Sequence, residues 1–179
     1  MTLLIASAFA DTVEELDSLA SSAWRAGADA FEARIDAFRD APSQLNRFLR
    51  DHGDRKWLIT CRSQSEGGRF AGNGIDASLR AIEAVEGSNA WTDVEFTAWR
   101  ADSELRARLK SHLDAHPTAR LILSAHFVDG APASLSGLVE DALRNGPQIV
   151  AKVAYTGTRI ADSFQALDLM RHYGHRVIA

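Results

Sequence analysis

The stretch Ile149-Val150-Ala151-Lys152-Val153-Ala154 sets the terms of the fold. It is a short, β-branched, almost wholly apolar run. A strand hydrophobic on both faces is buried on both, which is the signature of a parallel sheet covered by helices. Six similar runs precede or follow it: Leu3–Ser7, Ala30–Asp36, Lys56–Arg62, Trp91–Phe96, Arg120–His126 and Arg176–Ala179. Their starts recur at intervals of roughly 30 residues, the length of a βα unit. Between them lie stripes of helical spacing, clearest in Leu135, Leu138, Val139, Ala142 and Leu143, and again in Ile75, Leu79, Ile82 and in Leu105, Leu109, Leu113. Thr12 and Glu15 have capping-box spacing. Glycines 27, 53, 87, 146 and 174 each stand between a stripe and the next strand, where a left-handed C-cap is expected, and Pro117 closes the remaining helix.

Seven strands with six intervening helices suit a doubly wound sheet or a closed βα barrel. Polar residues end nearly every strand, not only those beside one switch point, and this favours the barrel. The expectation is therefore an α/β chain of the (β/α)8 TIM type, a single domain over residues 1–179, read as C-terminally truncated because the chain stops inside its seventh strand. An open strand edge predicts poor solubility or low activity for the 179-residue form.

Composition narrows the function. The chain is 46% hydrophobic and 25% charged, so it is not a disordered type. Its 20 Lys plus Arg against 24 Asp plus Glu give a net charge of −4, with no general attraction to nucleic acid or an anionic membrane. One cysteine, Cys61, rules out an internal disulfide framework and a multi-cysteine zinc site, and suits a reducing compartment. Leu3-Leu4-Ile5 followed by Ala8-Phe9-Ala10 has the look of a signal-peptidase region, but it lacks a basic start and is too short for an h-region, so a strand is expected. No run reaches the ~20 apolar residues of a membrane span.

The chemistry lies in polar residues that share a strand face. Glu32 and Arg34 are two apart, as are Asp93 and Glu95, and Ser124 and His126. Clustered at strand ends they are either structural ion pairs within the barrel or a ligand site. Lys152 is the sharpest of them. Apolar neighbours, with Arg34 and Arg62 nearby, would lower its pKa towards the neutral amine that imine formation requires; alternatively its ammonium pairs with Glu95 or Asp93. His126 ends the preceding strand, close enough to share a substrate with Lys152 and suited to move a proton near neutrality. Arg62 opens a loop with four glycines between Gly67 and Gly74, either a mobile lid or a plain surface loop, with neither P-loop nor dinucleotide spacing. His112 and His116 are four apart but lack a third metal ligand and are expected to end a solvated helix. Cys61 has no base partner in the sequence, and there is no Gly-x-Ser-x-Gly elbow.

Five segments, in order, resemble type I 3-dehydroquinate dehydratases: Glu32-Ala33-Arg34-Ile35-Asp36, Thr60-Cys61-Arg62 running into Glu66-Gly67-Gly68, Asp93-Val94-Glu95, Ser124-Ala125-His126 and Val150-Ala151-Lys152-Val153-Ala154. The resemblance implies a shikimate-pathway lyase of the cytoplasm, converting 3-dehydroquinate to 3-dehydroshikimate and water. It makes Lys152 the Schiff-base lysine, His126 the general base and acid, and Glu66 the carboxylate that orients His126. Ser7, Glu32, Arg34 and Arg62 become contacts to the substrate's hydroxyls. It implies no metal and no organic cofactor, a small-molecule substrate as the only partner beyond an optional homodimer, and neither nucleic acid nor membrane. Two departures stand out. Phe127-Val128-Asp129 follows the histidine where Asp-Phe is usual, and the family's Met-Gly segment, carboxylate-clamping arginine and late Ser and Gln contacts would fall beyond Ala179. A class I aldolase, which also carries an imine lysine on a barrel strand, and a truncated non-catalytic barrel fragment are the competing readings.

Overall fold

The computed structural model describes residues 3–132 and 134–179. Seven strands form one parallel sheet in sequence order: β1 Ile5–Phe9, β2 Ala30–Arg34, β3 Trp57–Thr60, β4 Trp91–Glu95, β5 Leu121–Phe127, β6 Ile149–Tyr155 and β7 Val177–Ile178. The helices are α1 Val13–Arg25, α2 Pro42–Asp51, α3 Gly74–Val85, α4 Phe96–Ala101, α5 Ser103–Ala115, α6 Leu135–Leu143 and α7 Ile160–Tyr173. Among the described residues there are seven α-helices, not the six expected. The stretch between β4 and β5 breaks at Asp102, which takes an extended conformation and caps α5 by accepting from the Leu105 amide. All seven expected strands are present, with ends shifted by up to a few residues; the first begins at Ile5 instead of Leu3.

Side-chain alternation divides the sheet into two faces. Outward residues such as Phe31, Ile59, Val94, Leu121, Leu123, Ile149 and Val153 are buried beneath the helices together with Leu16, Leu45, Ile82, Leu109 and Val139. Inward residues are stacked in layers, beginning with these two. The lower one is apolar: Leu58, Ile122 and Val150, with Trp91 and Ile178 against them. The upper one, two residues further along the strands, is charged.

The sheet curls strongly. β2 and β6 are four strands apart, ~19 Å in a flat sheet, yet the Lys152 Nζ on β6 lies 3.0 Å from the Glu32 Oε1 on β2. Only a sheet bent partway round a barrel allows this. Thr12 caps α1 as expected, accepting from the Glu15 amide, but the Glu15 carboxylate accepts from the Asp11 amide in place of completing a capping box. Of the five glycines expected in the left-handed region, Gly27, Gly87, Gly146 and Gly174 have positive φ and Gly53 does not. One face of α7 carries Ile160, Phe164, Leu167 and Met170 exposed.

Candidate active site

The upper interior layer is built strand by strand. Lys152 is in register with Ser124 on β5 and Ile178 on β7, so all three point inward. Its ammonium donates to Glu32 Oε1 at 3.0 Å and to Asp93 Oδ2 at 3.2 Å. Thr60 Oγ1 donates to the same Glu32 oxygen at 2.7 Å, and Ser7 is the register partner of Glu32 on β1. Asp93 Oδ1 accepts from Arg62 Nη2 at 2.8 Å and from the Ser124 hydroxyl, which itself accepts from Arg62 Nη1 at 2.8 Å. Arg62 Nη1 also reaches Glu66 Oε2 at 3.2 Å, and that oxygen lies 3.1 Å from His126 Nδ1. A continuous chain of ionic contacts thus runs from Glu32 through Lys152, Asp93, Arg62 and Glu66 to His126.

Of the two sequence readings of Lys152, the structure favours the ammonium paired with Asp93, with Glu32 as its other partner in place of Glu95, over the neutral amine. Burial works to lower its pKa, as expected, but the Asp93 and Glu32 carboxylates outweigh burial and the weaker Arg62 repulsion, holding it above the ordinary lysine value. Arg34 is not among the opposing charges. Its guanidinium is forked on Asp36, Nε to Oδ1 at 3.2 Å and Nη2 to Oδ2 at 2.7 Å. The resting group is therefore an ammonium. Burial pushes the Asp93 carboxyl up, but Arg62, Lys152 and the Ser124 hydroxyl bring it down to about 2. Burial likewise raises Glu32, and Lys152, Ser7 and Thr60 more than compensate, leaving it below its usual value.

The other expected residues fall as follows. Arg62 is 2% exposed, with both terminal nitrogens already engaged, so it is an interior strut as it stands. His126 faces the same interior but is in register with Ala154, one layer above Lys152, roughly 6–7 Å further along the strand. Among the described residues the two share no hydrogen bond. A cavity of about 370 Å³ opens beside His126 and Glu66, lined also by Phe96, Thr97, Phe127 and Leu138. The glycine loop is tied down where a mobile lid was one expectation. Phe70 donates its amide to Arg62 O, Gly68 to Ser63 O and Gln64 to Phe70 O. A Cβ on Gly68 would lie 2.1 Å from the Arg62 carbonyl oxygen, so only glycine allows this return of the chain. His112 does not end a solvated helix: it is buried, its Nε2 has no partner, and burial with the neighbouring His116 lowers its pKa. Cys61 is buried, and burial with the Asp36 charge pushes its thiol up to about 12, far from a nucleophile.

The sequence alone assigns Asp36 no role. Its carboxylate, fully buried, accepts from Arg34 Nε and Nη2, from the Arg62 amide at 3.0 Å and from the Arg69 amide at 3.0 Å. It fixes the end of β2 against both ends of the glycine loop. Strand alternation and the matching segments point to Asp93 and Ser124 without giving Ser124 a role, while Asp93 is one of the two expected partners of Lys152, and the structure pairs them.

The curled parallel sheet, with an ionic layer at the C-terminal ends of its strands, defines a βα-barrel protein of the kind that carries its chemistry at that end. The comparisons narrow this class to one family: the chain belongs to the type I 3-dehydroquinases, whose family model matches residues 5–179. It is 28% identical over 167 residues to the 3-dehydroquinate dehydratase of Methanothrix thermoacetophila, covering 93% of this chain and 66% of that one. It is 32% identical over 158 residues to that of Desulfotalea psychrophila, covering 86% and 66%. The chain thus spans about two thirds of the length of these curated relatives. Crystal structures of 3-dehydroquinate dehydratases from Geobacillus kaustophilus (TM-score 0.74, 21% identity, 96% of this chain and 68% of that one) and Clostridium difficile (0.78, 17%, 98% and 73%) share the fold.

Proposed function

We propose that the protein dehydrates 3-dehydroquinate to 3-dehydroshikimate through an imine on Lys152. The observation that carries this reading is an ammonium held inside the curled sheet between Glu32 and Asp93, one layer below an imidazole tied to Glu66. Membership of the type I 3-dehydroquinase family supports it over an aldolase or an inert fragment.

The small neutral fraction of Lys152 adds to the C3 ketone, and loss of water from the resulting carbinolamine leaves a protonated imine. That cation takes the place of the ammonium, so Glu32 and Asp93 stabilise it as they stabilise the resting lysine. The iminium withdraws electrons from C2, His126 removes the C2 proton, and an enamine forms. Collapse of the enamine expels the C1 hydroxyl, which leaves as water with the proton returned from His126. Addition of water to the remaining imine frees the product and the lysine. Glu66 holds the imidazole by Nδ1, leaving Nε2 for the substrate. In this reading Ser7, Glu32 and Arg34 take the ring hydroxyls, and Arg62 joins them only by exchanging a present partner. A cytoplasmic location belongs to the same proposal; no helix among the described residues is long and apolar enough to cross a membrane.

Borohydride reduction in the presence of 3-dehydroquinate, read by intact mass and peptide mapping, tests the reading. The expected result is one product-sized adduct on Lys152, absent from Lys152→Ala and from the volume-conserving Lys152→Met. Because the resting group is an ammonium, the trapping rate should climb with pH from neutrality towards the lysine's raised pKa. No adduct, an adduct on another residue, or equal trapping of small aldehydes and ketones overturns it.

A further inference from the structure

Glu95 ends β4 on the same face as Asp93, two residues further on, yet it takes no part in pairing Lys152. It is 2% exposed, and its carboxylate turns to the loop after β3. Oε1 accepts from the Ser63 amide at 2.8 Å and lies 4.0 Å from Arg62 Nη1. Oε2 rests against Gly74, the first residue of α3, where a Cβ would stand 2.3 Å from it.

A buried carboxylate is costly unless donors and positive potential meet it. Glu95 meets the Ser63 amide, the edge of the Arg62 guanidinium and the first turn of α3, where the helix dipole favours an anion. Gly74 is the other half of the arrangement. Its φ is not positive, and Asn73 already caps the helix by accepting from the Asp76 amide at 2.9 Å, so neither the backbone nor the cap calls for glycine. Alanine there would favour the helix. Of the atoms nearest a Cβ at this position, Glu95 Oε2 and Cδ lie at 2.3 and 3.3 Å, while the third, Ala98 Cβ at 3.5 Å, is in ordinary contact. A side chain at Gly74 therefore displaces the Glu95 carboxylate and little else.

What Glu95 holds is the start of the turn that carries Glu66. Ser63 is fully buried and precedes the 3₁₀ turn Gln64–Glu66; its carbonyl accepts from the Glu66 amide at 3.2 Å and the Gly68 amide at 2.8 Å. Glu66 in turn holds His126 Nδ1 at 3.1 Å and shares Arg62 Nη1. Resting on the dehydratase reading, we propose that Glu95 is a positioning residue for the proton transfer: admitted by Gly74, it holds the Ser63 amide and so sets Glu66, and through it His126. Among the described residues Glu95 makes no hydrogen bond to His126 and acts only through this relay. A shift of about 1 Å at the imidazole is enough to misalign proton removal. Addition of the lysine to the ketone is spared, because Lys152 is held separately by Glu32 and Asp93.

The test joins dehydration kinetics to borohydride trapping with 3-dehydroquinate on the full chain, read by intact mass. When proton removal is slow, the imine is reduced before the C1 hydroxyl departs, and the adduct is heavier than the product-sized one by one water. Glu95→Ala should lower kcat about a hundredfold with KM little changed, label Lys152 as readily as the unmodified chain, and carry the heavier adduct. Glu95→Gln keeps an oxygen for the Ser63 amide and should recover most of the rate. Gly74→Ala should lower kcat about tenfold without a lower thermal melt, and should add nothing in a Glu95→Ala background. Adduct mass is read per labelled lysine, so it does not follow the folded fraction, and Gly74→Ala decides the matter if Glu95→Ala fails to fold. Product-sized adduct with unchanged kcat in Gly74→Ala, or a Gly74→Ala loss that persists beside Glu95→Ala, overturns the positioning role alone. No adduct of either mass on the unmodified chain overturns the dehydratase reading and this proposal with it.

Discussion

The two interior layers of the sheet are made by the same strands, on the same face, two residues apart. Leu58, Trp91, Ile122 and Val150 form the lower layer; Thr60, Asp93, Ser124 and Lys152 stand directly above them. The lower layer gains free energy simply by leaving water. The upper one brings four carboxylates, a lysine and an arginine close together, where desolvation consumes most of the attraction and each group depends on its partner remaining. One step along a strand therefore separates the part of the interior that holds the sheet closed from the part that is poised for chemistry.

The largest effect should come from removing the hub of the upper layer. Asp93 is 1% exposed and contacts Arg62, Lys152 and Ser124 at once. Asp93→Ala leaves two cations without it and should cost about 3–5 kcal/mol in denaturant unfolding. The same change removes one of the two carboxylates that raise the Lys152 pKa, so imine trapping should begin at lower pH. A variant as stable as the parent would show that the layer is not a coupled network.

Below it, Ile122 is fully buried. Ile122→Ala should cost about 2–5 kcal/mol by loss of transfer energy and the cavity left behind, while borohydride still labels Lys152 with an unchanged pH profile. Loss of labelling in a folded Ile122→Ala protein would break the division between the layers.

A smaller effect is expected from pH alone. Asp93 and Glu32 sit below their ordinary values, so the stability they provide is full above about 4.5 and declines as pH falls towards the Asp93 value of about 2. Lys152 is raised above 10.5, so its share is full below that pH and lost as pH climbs through the higher folded value. Stability followed against pH should show both declines, and Ile122→Ala should keep them while lying lower throughout. A curve flat below pH 4.5 would mean that the upper layer does not stabilise the fold.

Much of this was legible in the sequence because strand geometry has a period of two. Once Ala30–Arg34, Trp91–Glu95 and Leu121–Phe127 are strands, Glu32 must share a face with Arg34, Asp93 with Glu95, and Ser124 with His126, whatever the sheet does next. The break at Asp102 was hidden because its flanks, Phe96–Ala101 and Ser103–Ala115, both carry helical residues, and only the cap geometry separates them. The burial of His112 was legible in spacing, since it lies three residues after Leu109 and seven after Leu105 on the apolar stripe of α5; a reading by residue type put it in solvent.

The sequence by itself determined the ladder of parallel strands, the face on which each polar residue lies, and the family to which those segments correspond, since these follow from spacing within single elements. The tertiary structure decided between the two readings of Lys152, in favour of the ammonium, and filled Asp36 with four donors. Glu32 and Lys152 are 120 positions apart, and only the curl of the sheet brings them within 3.0 Å. At that range Coulomb attraction outweighs desolvation, and no reading of the apolar neighbours of Lys152 could have supplied the sign.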